Sequence, residues 1–228
     1  MRFKYENIAG LNVIVINPGQ KKNVVLLHGY GANAEDLASL TQVLTLDDIT
    51  WIFPEAPLKL DFFPGMASFT WFPLDETRLR ELRNIPIEQT DRFEPEGLGE
   101  ASTHVRRLVK ALGLDPAQTA IGGFSQGAMV ATNVALDSTK SYAAILIMSG
   151  TLICREKWVQ SASRHAATQY FLSHGNWDER LPAEKARNLA GLLKEGGLHG
   201  EEHFFGGGHE IPYEIIASLR SFLEKAFS

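Results

Sequence analysis

Residues 119–136 read Thr-Ala-Ile-Gly-Gly-Phe-Ser-Gln-Gly-Ala-Met-Val-Ala-Thr-Asn-Val-Ala-Leu. An apolar, strand-like run leads into Gly123-Phe124-Ser125-Gln126-Gly127, and an apolar helical run follows at once. Strand, G-x-S-x-G, helix is the context required of a nucleophile elbow, in which a serine sits on a sharp turn at the carboxyl edge of a sheet. A serine held there has an unfavourable backbone conformation, and glycines two positions to either side let neighbouring backbone come close without a Cβ clash. The competing expectation is a serine that merely caps the helix, since serine is a preferred N-cap.

Outward from this stretch, short apolar or β-branched runs alternate with longer helical ones. Strands are predicted at 11–16, 24–27, 50–53, 119–122, 143–148, 169–172 and 203–205, and helices at 34–44, 98–112, 126–136, 182–193 and 211–225. In the second of these helices Ala101, Val105, Leu108, Val109 and Leu112 fall on one face at spacings of three and four. Such alternation predicts an α/β fold, with a mostly parallel central sheet covered by helices on both faces. The rhythm breaks between residues 55 and 95, which hold five prolines, several aromatics and the charge-dense run 75–83. Long loops of this kind are often lids or binding loops, so the expectation is one domain over 1–228 with an excursion at about 55–95 near the substrate.

Bulk properties narrow the function. A formal net charge of -5 lacks the basic excess of a nucleic-acid binder, so no nucleic-acid partner is expected. No stretch approaches the ~20 apolar residues that span a bilayer, and the N-terminal apolar run 11–16 is too brief for a signal-peptide core. The expected setting is the cytoplasm, and the single cysteine, Cys154, agrees with a reducing compartment and reads as a small buried residue.

A serine hydroxyl is a weak nucleophile unless a base takes its proton and an acid orients that base. In an elbow-bearing sheet these follow in the order Ser, Asp or Glu, His. Residues 171–189, FLSHGNWDERLPAEKARNL, place Asp178 in a loop between a strand and a proline-started helix, and residues 203–216, HFFGGGHEIPYEII, place His209 after three glycines. Asp178 competes with Glu179, Glu210 and Asp137, and His209 with His165, His174, His199 and His203. The glycines favour His209, because they allow a loop to reach over the sheet edge. His174 reads as a structural turn residue.

An oxyanion site is the remaining need. Residues 24–37, VVLLHGYGANAEDL, put His28-Gly29-Tyr30-Gly31 between a strand and a helix, so main-chain N–H groups of Tyr30 and Gln126 are expected to meet the developing charge. His28 is expected to hold this loop by hydrogen bonding. Gly29, Gly31 and Ala34 also fit the dinucleotide fingerprint, with Glu55 roughly 20 residues on. That rival leaves the elbow, the Asp178 loop and the His209 loop as three coincidences.

Taken in order, LLHGYGAN, Trp71-Phe72, GGFSQGAMV, HGNWDERLP and GGGHEI resemble the phospholipase/carboxylesterase family, which includes acyl-protein thioesterases and small bacterial carboxylesterases. The resemblance covers nearly the whole chain. It implies an α/β-hydrolase fold, a reactive set of Ser125, Asp178 and His209, oxyanion donors Tyr30 and Gln126, and hydrolysis of a small ester or acyl substrate without cofactor or metal. A homodimer is a common assembly among similar proteins. Ala32 stands where many thioesterase-like members carry aspartate, a form that resembles general esterases. Met66, Trp71 and Phe72, with Phe62, Phe63 and Phe69, are expected to line an acyl slot beside Ser125.

Overall fold

Alternate residues of a strand face opposite sides of its sheet, and in this chain both sets are apolar. Val25, Leu27, Ile121, Ile145, Ile147 and Leu172 join one core cluster, while their neighbours Val24, Leu26, Ala120, Ala144, Leu146 and Phe171 join another. Such strands are stable only with helices on both faces, and the computed structural model, which describes residues 4–61, 67–74 and 94–228, has that form.

Among the described residues the strands are β1 (Tyr5–Ile8), β2 (Leu11–Ile16), β3 (Lys22–Leu27), β4 (Ile49–Pro54), β5 (Leu58–Leu60), β6 (Ser68–Thr70), β7 (Thr119–Phe124), β8 (Ala144–Met148), β9 (Gln169–Gly175) and β10 (His199–Phe205). The main sheet runs β1-β2-β4-β3-β7-β8-β9-β10, antiparallel at β1-β2 and β2-β4 and parallel from β4 onward. β5 and β6 form a separate antiparallel pair. The α-helices among the described residues are α1 (Ala34–Ala38), α2 (Thr41–Leu44), α3 (Leu98–Ala111), α4 (Gln126–Leu136), α5 (Arg155–Ala162), α6 (Ala183–Glu195) and α7 (Tyr213–Ala226). α3 to α6 pack in the first core, and α1, α2 and α7 in the second. None of the described helices is long and apolar enough to cross a membrane.

Three expectations change. The single helix at 34–44 is two: Ser39 Oγ donates to Asp36 O and Thr41 Oγ1 to Ala38 O, both at 2.7 Å, and such hydroxyls compete with the helical ladder. β1, the β5-β6 pair and α5 were not expected, and β10 begins at His199 rather than residue 203. Met66, Phe62, Phe63 and the charged run 75–83 lie outside the described residues.

Two packing features matter for the site. α4 is buried along its whole length, and its Asn133 accepts from Trp158 Nε1 of α5 (3.1 Å) while donating to Ser102 of α3 (2.8 Å). Trp158 is itself fully buried, a contribution of roughly 1.5–3 kcal/mol or more for a side chain of that size. Farther along, Gly97 has φ 83 and lies so close to Phe72 and Pro73 that a Cβ there would stand 3.1 Å from each. The chain therefore returns beside the point where it left.

Candidate active site

The loops after β3, β7, β9 and β10 all leave the same edge of the parallel sheet, because parallel strands present all their carboxyl ends together. Ser125 bridges β7 and α4 with φ 53 and ψ -118, a strained conformation for a residue with a Cβ. Its side chain makes no capping bond, so the simple N-cap expectation does not describe it. The turn is pinned by Ser125 N–H to Met148 O at 2.8 Å. A Cβ on either Gly123 or Gly127 would overlap Leu27 O, which explains the two glycines.

The His28 loop lies against this elbow: a Cβ on Gly29 would stand 3.5 Å from the Ser125 Cβ. His28 Nε2 accepts from Ala56 N–H at 3.0 Å, so Nδ1 carries the proton and donates to Gly29 O at 2.8 Å. Burial pushes this imidazole down from 6.5 to about 4, with the Gly29 bond offsetting only part of the shift. It is a neutral brace, as the sequence led one to expect. Gly31 N–H donates to Phe69 O and Phe69 N–H to Ala32 O, both at 2.9 Å, so β6 braces the loop from outside. Tyr30 lies between these fixed glycines. Gln126 opens α4, and a helix leaves its first N–H groups without an internal acceptor.

Trp71 and Phe72, expected to line an acyl slot, instead pack in the core at 1% and 0% exposure. Trp71 Nε1 donates to His28 O at 2.9 Å. The rest of their contribution is main chain. Gln126 Nε2 donates to Phe72 O (2.8 Å), and Gln126 Oε1 accepts from Trp71 N–H (2.9 Å) and Thr70 Oγ1 (3.0 Å). This buried amide clamp escaped the sequence reading, which considered only the main chain of Gln126.

On the other side, the loops after β9 and β10 interlock. Asn176 N–H donates to Phe205 O (2.8 Å) and Trp177 N–H to Gly207 O (2.9 Å). A Cβ on Gly175 would overlap Gly208 O. The interlock brings His209 Nδ1 to 2.6 Å from Asp178 Oδ2, with the Asp178 side chain fully buried. Asp178 Oδ1 accepts from the N–H groups of Arg180 (2.8 Å) and Leu181 (2.9 Å). Burial alone would raise this carboxyl, but the hydrogen bonds from His174, His209 and Leu181 N–H outweigh it and hold Asp178 well below the usual carboxylate range. The His209 ring packs on Phe124, centroids 4.7 Å apart, and so stands beside the residue that precedes Ser125.

Several of the competing residues have other partners. Asp137 pairs with Arg106 and Lys157, and Glu210 accepts from Gly208 N–H. His165 bonds Leu136 O, and His203 bonds Glu201 on β10. His174, read as a turn residue, also reaches Asp178. Cys154 is buried, and burial pushes its thiol up to about 12, in keeping with a structural residue.

The chain is similar to known proteins along most of its length. An acyl-protein thioesterase 1 of Aspergillus fumigatus is 27% identical over 227 residues, covering 92% of this chain and 91% of that one. Its counterpart in Mycosarcoma maydis is 26% identical over 241 residues, covering 94% and 97%. Among solved structures, esterase PE8 superposes with a TM-score of 0.77 at 27% identity, over 95% of this chain and 99% of its own. A carboxylesterase from Mesorhizobium loti shares the fold, with a TM-score of 0.73 at 16% identity and 98% coverage of both chains. The sequence pattern of the phospholipase/carboxylesterase family matches residues 11–227, and the chain belongs to that family.

Proposed function

We propose that this chain hydrolyses small carboxylic esters, thioesters included, through an acyl-enzyme on Ser125, with His209 as base and Asp178 as the acid that orients it. It is a hydrolase of the serine type, as its family and its esterase and thioesterase relatives are. The observation that carries the assignment of residues is the 2.6 Å bond from His209 Nδ1–H to a buried Asp178 carboxylate, beside a strained elbow serine. With Nδ1 donating, Nε2 is left as the proton acceptor.

In the proposed reaction Ser125 Oγ attacks the acyl carbonyl while His209 Nε2 takes its proton. The N–H groups of Tyr30 and Gln126 meet the oxygen as it gains charge, a contribution of on the order of 100-fold to 1,000-fold for each donor. The tetrahedral adduct collapses, His209 returns the proton to the departing alcohol or thiol, and the acyl-enzyme forms. Water deprotonated by the same imidazole then releases the acid. Asp178 never gives up its charge; it stabilises the imidazolium at each half-reaction. A protonated imidazole cannot act as base, so the first step needs His209 neutral at Nε2.

A cytoplasmic setting is part of the proposal, supported by the lone buried Cys154. The test is a fluorophosphonate probe with mass spectrometry, alongside p-nitrophenyl esters of rising chain length and matched amides. Labelling at Ser125, lost in Ser125→Ala together with turnover by on the order of a millionfold, is expected. Folded protein that takes no label and cleaves no ester would instead be a binding module on a hydrolase scaffold. Faster cleavage of amides than esters would make it a peptidase.

A further inference from the structure

The Asp178 carboxylate has a second histidine on it. His174 closes β9, four residues before Asp178, and both side chains are fully buried. Its Nε2 lies 2.7 Å from Leu181 O and 3.2 Å from Asp178 Oδ2, the same oxygen that accepts from His209. Two acceptors facing one nitrogen require that nitrogen to carry the proton. The loop thereby closes on itself: His174 Nε2–H holds Leu181 O, and Leu181 N–H holds Asp178 Oδ1.

The other nitrogen, Nδ1, is buried with no hydrogen-bond partner among the described residues. The geometry therefore selects the Nε2–H tautomer, with Nδ1 bare. From Nε2 the proton reaches the Asp178 carboxylate while His209 keeps its own bond to it. Two charged groups on the surrounding elements have partners elsewhere. Arg187 of α6 donates to Asn176 Oδ1 (2.7 Å) and stacks on Phe204, and Glu210 accepts from Gly208 N–H. Lys185 of α6 is buried, and Glu179 and Arg180 flank Asp178 in its own loop.

We propose that His174 is a positioning residue, an Nε2–H donor that sets the orientation of the Asp178 carboxylate for His209. The proposal rests on the assignment of Asp178 and His209 given above. Because the family name predicts nothing of this nitrogen's proton, the test begins with the protein itself. Long-range proton–nitrogen NMR of the wild type at about pH 8 is expected to find His174 protonated at Nε2 and bare at Nδ1. An Nδ1–H tautomer overturns the proposal, and this readout holds even for a chain that hydrolyses nothing.

Kinetics then test the consequence. Replacing His174→Phe removes a bond to a charged group, so kcat falls about tenfold to a hundredfold with KM little changed. The acid limb of the rate profile moves to higher pH, because a carboxylate relieved of one donor attracts the proton more strongly. His174→Gln, whose amide N–H can reach the same oxygen, recovers most of the loss. An unmoved acid limb in both variants, or a loss in His174→Gln equal to that in His174→Phe, overturns the positioning role and leaves packing as the explanation.

Discussion

His28 and His209 stand on loops that leave the same sheet edge, yet one is a strut and the other the proposed base. Both nitrogens of His28 are bound to main chain, at Gly29 O and Ala56 N–H, and the residue is 1% exposed. His209 has one nitrogen on a carboxylate and keeps an 11% exposed side chain beside the elbow. Identical side chains thus receive opposite work from their surroundings. A carboxylate on one nitrogen and an open approach to the other make a base, whereas two main-chain partners and burial make a fixed, uncharged brace.

Removing the feature that separates the two rings should have the largest effect. Asp178→Asn replaces the carboxylate on His209 with a neutral amide and invites the wrong tautomer, so kcat for a p-nitrophenyl ester is expected to fall by about 10⁴-fold with the fold intact by circular dichroism. The strut side is broken instead by Gly127→Ala. The added Cβ would overlap Leu27 O and crowd His28 O, 2.6 Å away, and the clash is with main chain that cannot swing aside. A loss of about 3 kcal/mol or more in urea unfolding is expected, with the activity of whatever remains folded also impaired.

The smallest effect sharpens the contrast through pH. The unfolded His28 protonates near 6.5 but the folded one only near 4, so across that interval the unfolded state binds more protons. Stability from this group is therefore complete above about pH 6.5 and is lost as pH falls toward about 4, by on the order of 2–3 kcal/mol. In urea titrations at several pH values, the advantage of wild type over His28→Gln should shrink by that amount across the interval. A constant difference would mean that the folded His28 takes up its proton as readily as the unfolded one.

How much of this was legible in sequence depends on the reach of each interaction. The elbow is local, since strand, glycines, serine and helix occupy residues 119–136, and the order of Asp178 and His209 follows from the α/β rhythm. The Gln126 clamp was not legible, because its partners Thr70, Trp71 and Phe72 lie 54 to 56 residues away. Nor was the bond from His174, since its spacing to Asp178 gives no hint that a loop will fold back on the strand. β1 is almost wholly exposed and so carries no alternation to read. α5 buries only Trp158, Ser161 and Ala162, too weak a stripe against Arg155, Glu156 and Lys157. Trp71 and Phe72 misled for the opposite reason, because aromatics near a site suggest a pocket wall when they are packed as its foundation.

The near meeting of Gly97 with Phe72 and Pro73 has a consequence for diversification. The stretch between them starts and finishes at one place, and its start is tied to the elbow by Gln126. Lengthening a segment whose ends are already together costs only about 0.6 kcal/mol per doubling. Relatives can therefore differ in the length of chain between Pro73 and Gly97 while the reactive constellation stays in register.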